Sequence, residues 1–180
     1  VSAQYEQTAT NFLNKGERGK AISILIRGLT GYPEHPGLNY LMGKCYYQVN
    51  NYDKARFYLV RTVRYENDNM AALTLLANIE EHTSNFSSAI CYINEMLIQT
   101  PYSKNLWLKK IGLYRRQGNT LEADRLLKRL SQIYPHDKDV RKRYQGLLEE
   151  NVRKLTKRGR PFWAIRSMRE LINQNPHHIS

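Results

Sequence analysis

The chain has 180 residues, 41% of them apolar, which is enough for a buried core and too apolar for a disordered segment. No apolar run approaches the roughly 18 to 20 residues of a membrane-spanning helix, and two cysteines 46 residues apart argue against a disulfide framework or a cysteine metal motif. The net charge of +12 is one-sided: residues 1–100 carry 9 Lys/Arg and 9 Asp/Glu, residues 101–180 carry 19 and 7, so the C-terminal part either meets an anionic partner or is simply solvated by its cations.

The first residues, Val1-Ser2-Ala3 before Gln4, have the small side chains that precede a secretory cleavage point. They raise the expectation of an exported protein; a piece of a longer, cytoplasmic chain is the alternative. Tyr5, Thr8, Ala9 and Phe12 then follow at spacings of three and four, one face of a helix. Gly16 suits a tight turn, Ala21-Leu25-Gly28 form a second helical face, and Pro33 closes it.

The same order recurs 34 residues later, with Asn39-Met42-Gly43-Tyr46, a turn at Asn50, then Ala55-Leu59-Thr62 and Asn67. A third round reads Leu73-Leu76-Ala77-Glu80, Ser84, Ala89-Ile93-Met96 and Pro101, and a fourth Trp107-Lys110-Ile111-Tyr114, Gly118, Ala123-Leu127-Leu130 and Pro135. The alanines recur because two helices must approach closely at that level. Cys45 and Cys91 fall inside these apolar patterns, so both are expected to be buried thiols.

The fifth round breaks the interval. Ala123 to Ala164 is 41 residues, as is Pro135 to Pro176, so seven extra residues lie between Pro135 and the turn at Gly159. A first helix from about Asp139 to Arg158 accommodates them. Seven residues are nearly two turns, so the stripe Val140, Tyr144, Leu147, Leu148, Val152, Leu155 stays in phase while the helix lengthens by roughly 10 Å. Arg141, Lys142, Arg143, Arg153, Lys154, Lys157 and Arg158 fall largely off that stripe, and Pro161 suits the first turn of the partner helix. Ala164, Met168 and Leu171 are its expected core. The closing "HHIS" resembles the "HDKD" after Pro135, and no polar capping helix is evident, so the array is expected to continue past Ser180.

This 34-residue helix–turn–helix resembles the tetratricopeptide repeat. The fourth round carries Trp107, Tyr114, Gly118, Ala123, Leu127 and Pro135 in the family's places, and the second carries Gly43, Tyr46, Tyr52, Ala55 and Leu59. Lys110, Ile111 and Glu80 depart from it, standing where Leu, a small residue and an aromatic are usual. The resemblance implies an all-α fold, a right-handed superhelical solenoid of antiparallel helix pairs in about five units: 2–35, 36–69, 70–103, 104–137 and 138–178.

It also implies that first helices line a concave groove for a peptide or partner protein. Projected residue by residue, that face takes Glu6 and Thr10, then Tyr40, Lys44 and Tyr47, then Thr74, Asn78 and His82. It goes on with Leu108, Gly112, Arg115 and Arg116, and ends at Glu149, Arg153 and Lys157. The tyrosines offer rigid amphipathic contact area, Asn78 offers a donor and an acceptor, and the arginines can grip carboxylates. A carboxylate-clamp arrangement is matched only at Lys44 and Asn78, so a different ligand is expected, one with an acidic segment.

No catalytic constellation appears. HExxH, GxSxG and a complete Walker loop are missing; "GERGK" is followed by Ala21 instead of Ser or Thr. His177-His178 read as solvated tail and Asn85-Phe86-Ser87 as a chance sequon. The expectation is a non-catalytic interaction scaffold with no cofactor and no metal. A nucleic-acid-binding repeat using the basic C-terminal part is the runner-up, followed by a structural segment of an exported assembly whose basic end faces acidic lipid or glycan headgroups.

Overall fold

The computed structural model describes residues 1–174. Pro176, His177 and His178, and the expected continuation past Ser180, lie outside them.

Ten helices and no strand make up the described residues. They are α1 (Ser2–Asn14), α2 (Arg18–Gly31), α3 (Pro36–Gln48), α4 (Tyr52–Tyr65), α5 (Met70–His82), α6 (Phe86–Gln99), α7 (Lys104–Arg116), α8 (Thr120–Ile133), α9 (Lys138–Lys157) and α10 (Pro161–Gln174). The chain divides into two compact units, Val1–Leu106 and the part from Trp107 onward. In the first unit α1 packs on α2, α3 on α4 and α5 on α6, and the pairs join through α2 with α3 and α4 with α5. In the second, α9 packs on α10 and on α8.

Among the described residues five take positive φ: Gly16 (75°), Asn50 (58°), Ser84 (62°), Gly118 (85°) and Gly159 (62°). They are the five turn positions the repeat pattern marks. Glycine adopts this conformation without penalty and asparagine tolerates it, whereas at Ser84 it costs backbone energy. Entry to α4, α5, α8 and α9 is fixed by side-chain caps. The carboxamide oxygens of Asn51, Asn69 and Asn119 accept from the backbone N–H of Lys54, Ala72 and Glu122, and the Asp137 carboxylate accepts from Asp139 and Val140.

The four trios at 34-residue spacing are buried throughout: Ala21, Leu25, Gly28; Ala55, Leu59, Thr62; Ala89, Ile93, Met96; Ala123, Leu127, Leu130. Small residues, in the trios and on the helices facing them, mark close approach. A Cβ on Gly43 would lie 2.7 Å from Leu59 Cγ, and one on Gly28 3.0 Å from Leu38 Cδ1.

α9 has 20 residues where α1, α3, α5 and α7 each have 13, the seven-residue lengthening read from the interval, one residue earlier than expected. Val140, Tyr144, Leu147 and Leu148 are buried, and Val152 and Leu155 are half-buried. α10 departs from expectation. Ala164 is buried, but Met168 is 45% exposed where its counterpart Leu127 is 1%. α9 covers the Leu127 level of α8, and among the described residues no helix follows α10 to do the same.

Candidate partner-binding faces

In the first unit, the α3 and α5 residues projected onto the inner face meet an aromatic row. Tyr47 on α3 lies against Tyr52, with centroids 6.0 Å apart, and Tyr52 stacks on His82 of α5 at 5.6 Å and 15°. Tyr52 starts α4, so the row ties three helices together. Its hydroxyl donates at 3.1 Å to Oδ1 of Asn50, the positive-φ turn residue itself. Tyr40 is half-buried against the apolar clusters on either side, and burial pushes its phenol above the usual range. It keeps its proton at neutral pH and can donate to an acceptor. Lys44 is exposed one turn from both Tyr40 and Tyr47, and Asn78 is half-buried one turn before His82 on α5. The structure therefore brings Tyr47 and His82 together through Tyr52, a residue the inner-face projection left out.

Beside this row lies a buried carboxylate. Glu80 is 4% exposed, its Oε1 accepts from Arg56 Nε at 2.6 Å, and its Oε2 accepts from Asn85 Nδ2 at 3.0 Å. Arg56 also reaches Asp53 at 3.3 Å. The carboxylate that stands in place of an aromatic is thus a fully engaged ion pair joining α4 to α5. A glutamate on a buried stripe demands a cation, which was the one sequence signal for Arg56.

In the second unit the basic residues are less free than their number suggests. Arg115 Nη2 lies 3.7 Å from Asp124 Oδ1. Burial pushes the Asp124 carboxyl up, an effect that Arg115 partly offsets. Glu150 is held below the usual carboxylate range by its hydrogen bond with Lys154, with Arg115 and Arg153 adding in the same direction. Arg115 and Arg153, from α7 and α9, thus share one acidic neighbourhood. Arg116 and Lys157 are exposed at the last turns of α7 and α9. Lys110, standing in a leucine's place, is accommodated by laying its ammonium over Trp107, 5.1 Å from the ring centroid. Burial lowers its pKa.

The thiols differ from expectation. Cys45 is buried and burial raises its pKa, whereas Cys91 is exposed on α6. Cys91 follows the buried pair Ala89-Ile90 and points off the packed stripe. Among the described residues, no group of three or more His, Cys, Asp or Glu side chains is placed to hold a metal ion, and no helix is long and apolar enough to cross a membrane.

Comparison with known proteins agrees with the repeat pattern. A family model described as tetratricopeptide repeat matches residues 12–79. MamA from Desulfovibrio magneticus superposes with a TM-score of 0.65 at 10% identity, covering 99% of this chain and 97% of that one. A second MamA crystal structure gives 0.66 at 14% identity, with 99% and 96% coverage. A tetratricopeptide repeat protein from Parabacteroides merdae gives 0.63 at 16% identity, covering 96% of this chain and 65% of that one. At such identities the likeness is one of fold: an all-α solenoid of helix pairs. No curated protein matches by sequence.

Proposed function

We propose that this chain, whose residues 12–79 carry tetratricopeptide repeats, is a non-catalytic protein–protein interaction scaffold. It takes a peptide or partner segment with acidic residues on the faces of its first helices. The observation that carries this reading is the Tyr47–Tyr52–His82 row, flanked by exposed Lys44 and half-buried Tyr40 and Asn78. It combines rigid aromatic area, a cation and an amide, the mixture that peptide-binding surfaces favour. In the second unit, taken by itself, Arg115, Arg116, Arg153 and Lys157 are cations that acidic side chains can meet.

Peptides selected from a random display library against the purified chain test this. Selected sequences should be enriched in Asp and Glu. Lys44→Glu should weaken them about tenfold, and Arg115→Glu with Arg116→Glu should weaken the most acidic of them at least as much, with helicity unchanged. Selected peptides that bind all these variants as they bind the parent would sink the assignment.

A further inference from the structure

The second helices of the first unit carry a cleft that the scaffold reading does not use. It lies between α2 and α4 and holds about 250 Å³, with Ile26 on one wall, Phe57, Tyr58 and Arg61 on the other, and Asn39 and Met42 of α3 beneath. Ile26 is 54% exposed and Phe57 56%. The opening is not an end effect: α5 and α6 follow α4, and Phe57 stays exposed. Asn39 is wholly buried on the packed stripe. Its Nδ2 donates to Pro33 O and to His35 O, both at 2.9 Å, while its Oδ1 meets no partner among the described residues. Arg61 reaches from α4 to the turn before α3. Its Nη2 donates to the same Pro33 O at 2.9 Å, and its guanidinium lies 5.5 Å from the Phe57 ring centroid. The repeat explains why space opens here. One round later Leu73 stands in the place of Asn39, and two rounds later Trp107 does. Beside Trp107, the counterparts of Tyr58 and Arg61, which are Leu126 and Arg129, border a gap of only about 10 Å³. A small amide where the chain elsewhere sets an indole leaves an indole-sized place.

We infer that this cleft is a docking site for a tryptophan side chain carried on a segment of a partner protein. An indole has an apolar body and one N–H donor, with no acceptor to satisfy. The body packs against Ile26, Met42 and Phe57, and the N–H donates to Asn39 Oδ1, whose own amide hydrogens are already used. A phenylalanine in the same place leaves that buried oxygen unmet, which costs affinity. Arg61 is held at the edge of the cleft, where a guanidinium attracts the face of an aromatic ring and repels a lysine or arginine. One water satisfies the oxygen but fills only about 30 Å³ of the space. On the far side of Phe57 and Arg61 a second cleft of about 560 Å³ runs along α4 to Tyr65. The surface therefore continues past one side chain, as a bound chain segment requires and a free amino acid does not.

Heteronuclear NMR of the isotope-labelled full chain, titrated with an end-blocked Ala-Trp-Ala tripeptide, tests the inference. The backbone signals of Ile26, Phe57 and Arg61 and the side-chain amide of Asn39 should shift together. An end-blocked Ala-Phe-Ala tripeptide, which lacks the donor, should bind about fivefold more weakly. Ile26→Lys sets an ammonium at the exposed mouth and should weaken the tryptophan peptide about tenfold, with unchanged circular dichroism and unchanged binding of the selected acidic peptides. Asn39→Trp fills the cleft from within and should abolish binding; if that variant does not fold, Ile26→Lys still decides. No shift at the cleft residues, equal affinity for the two tripeptides, or tryptophan-peptide binding untouched by Ile26→Lys would each overturn the inference. So would shifts confined to Tyr40, Lys44 and Tyr47, which would put the indole on the face of the first helices. The acidic-peptide selection reads that face separately, so failure of one reading leaves the other standing.

Discussion

The first unit, Val1–Leu106, and the part from Trp107 onward are built on one repeat and handle charge in different ways. The first is neutral over residues 1–100 and takes a carboxylate inside, where Arg56 and Asn85 satisfy both oxygens of Glu80. The second carries nearly all of the excess of cations, 18 Lys/Arg against 7 Asp/Glu. It keeps them on the surface, opposes a few with Asp124, Glu150 and Glu170, and leaves residues 151–169 with no acidic residue of their own. A buried pair is fragile, because losing one partner strands the other in a poor solvent. A surface excess costs little in stability and is available for recognition.

That contrast can be broken at its strongest point. Arg56→Leu should destabilise the first unit by about 3 kcal/mol, since it leaves Glu80 buried and unpaired, and adding Glu80→Leu should restore most of the loss. Urea denaturation followed by circular dichroism reads both, and a single variant as stable as the double would contradict the account. Helix glycines sharpen the comparison in the opposite direction. Gly43→Ala should lose about 1–2 kcal/mol, because its Cβ would meet Leu59 at 2.7 Å. Gly146→Ala, on the long helix with nothing within 4 Å, should gain about 0.5–1 kcal/mol. Opposite signs for one substitution chemistry are the expected outcome of the same denaturation measurement.

The smaller effects lie at Glu170. Burial opposes its ionisation, but its bonds with Lys128 and Tyr144 outweigh that and hold the carboxyl below its ordinary value of 4.5. Burial and that same bond push the Tyr144 phenol well up. Because the folded-state value of Glu170 is depressed, its contribution is present above pH 4.5 and is lost as pH falls through the lower folded value. Glu170→Gln should therefore flatten the acid limb of a stability–pH profile below that point, and Tyr144→Phe should cost about 1 kcal/mol at neutral pH.

Much of the fold was legible because spacing encodes it. A 34-residue interval with an alanine, a turn residue and a closing signal located the trios, the five turns and the long α9. What stayed hidden depended on contacts across helices. Glu80 announced a need for a cation, but Arg56, 24 residues before it, was no more marked than any other arginine. Tyr52 counted as a repeat residue, and its stack on His82 follows from where α4 begins relative to the end of α5. Exposure of Cys91 and Met168 turned on one helical position and on which neighbour covers it, neither of which periodicity states. The inner-face residues were a projection from family resemblance, and the pairing of Arg115 with Asp124 shows why a residue's face does not give its partner.

The most direct measurement is photo-crosslinking of a selected acidic peptide to two variants of the chain. One carries the photoreactive side chain in place of Lys44, on the face proposed for binding, and the other in place of Lys20, exposed on α2. The account predicts a covalent adduct from position 44, suppressed by excess unlabelled peptide, and none from position 20. Adducts from position 20 with none from position 44 would contradict it.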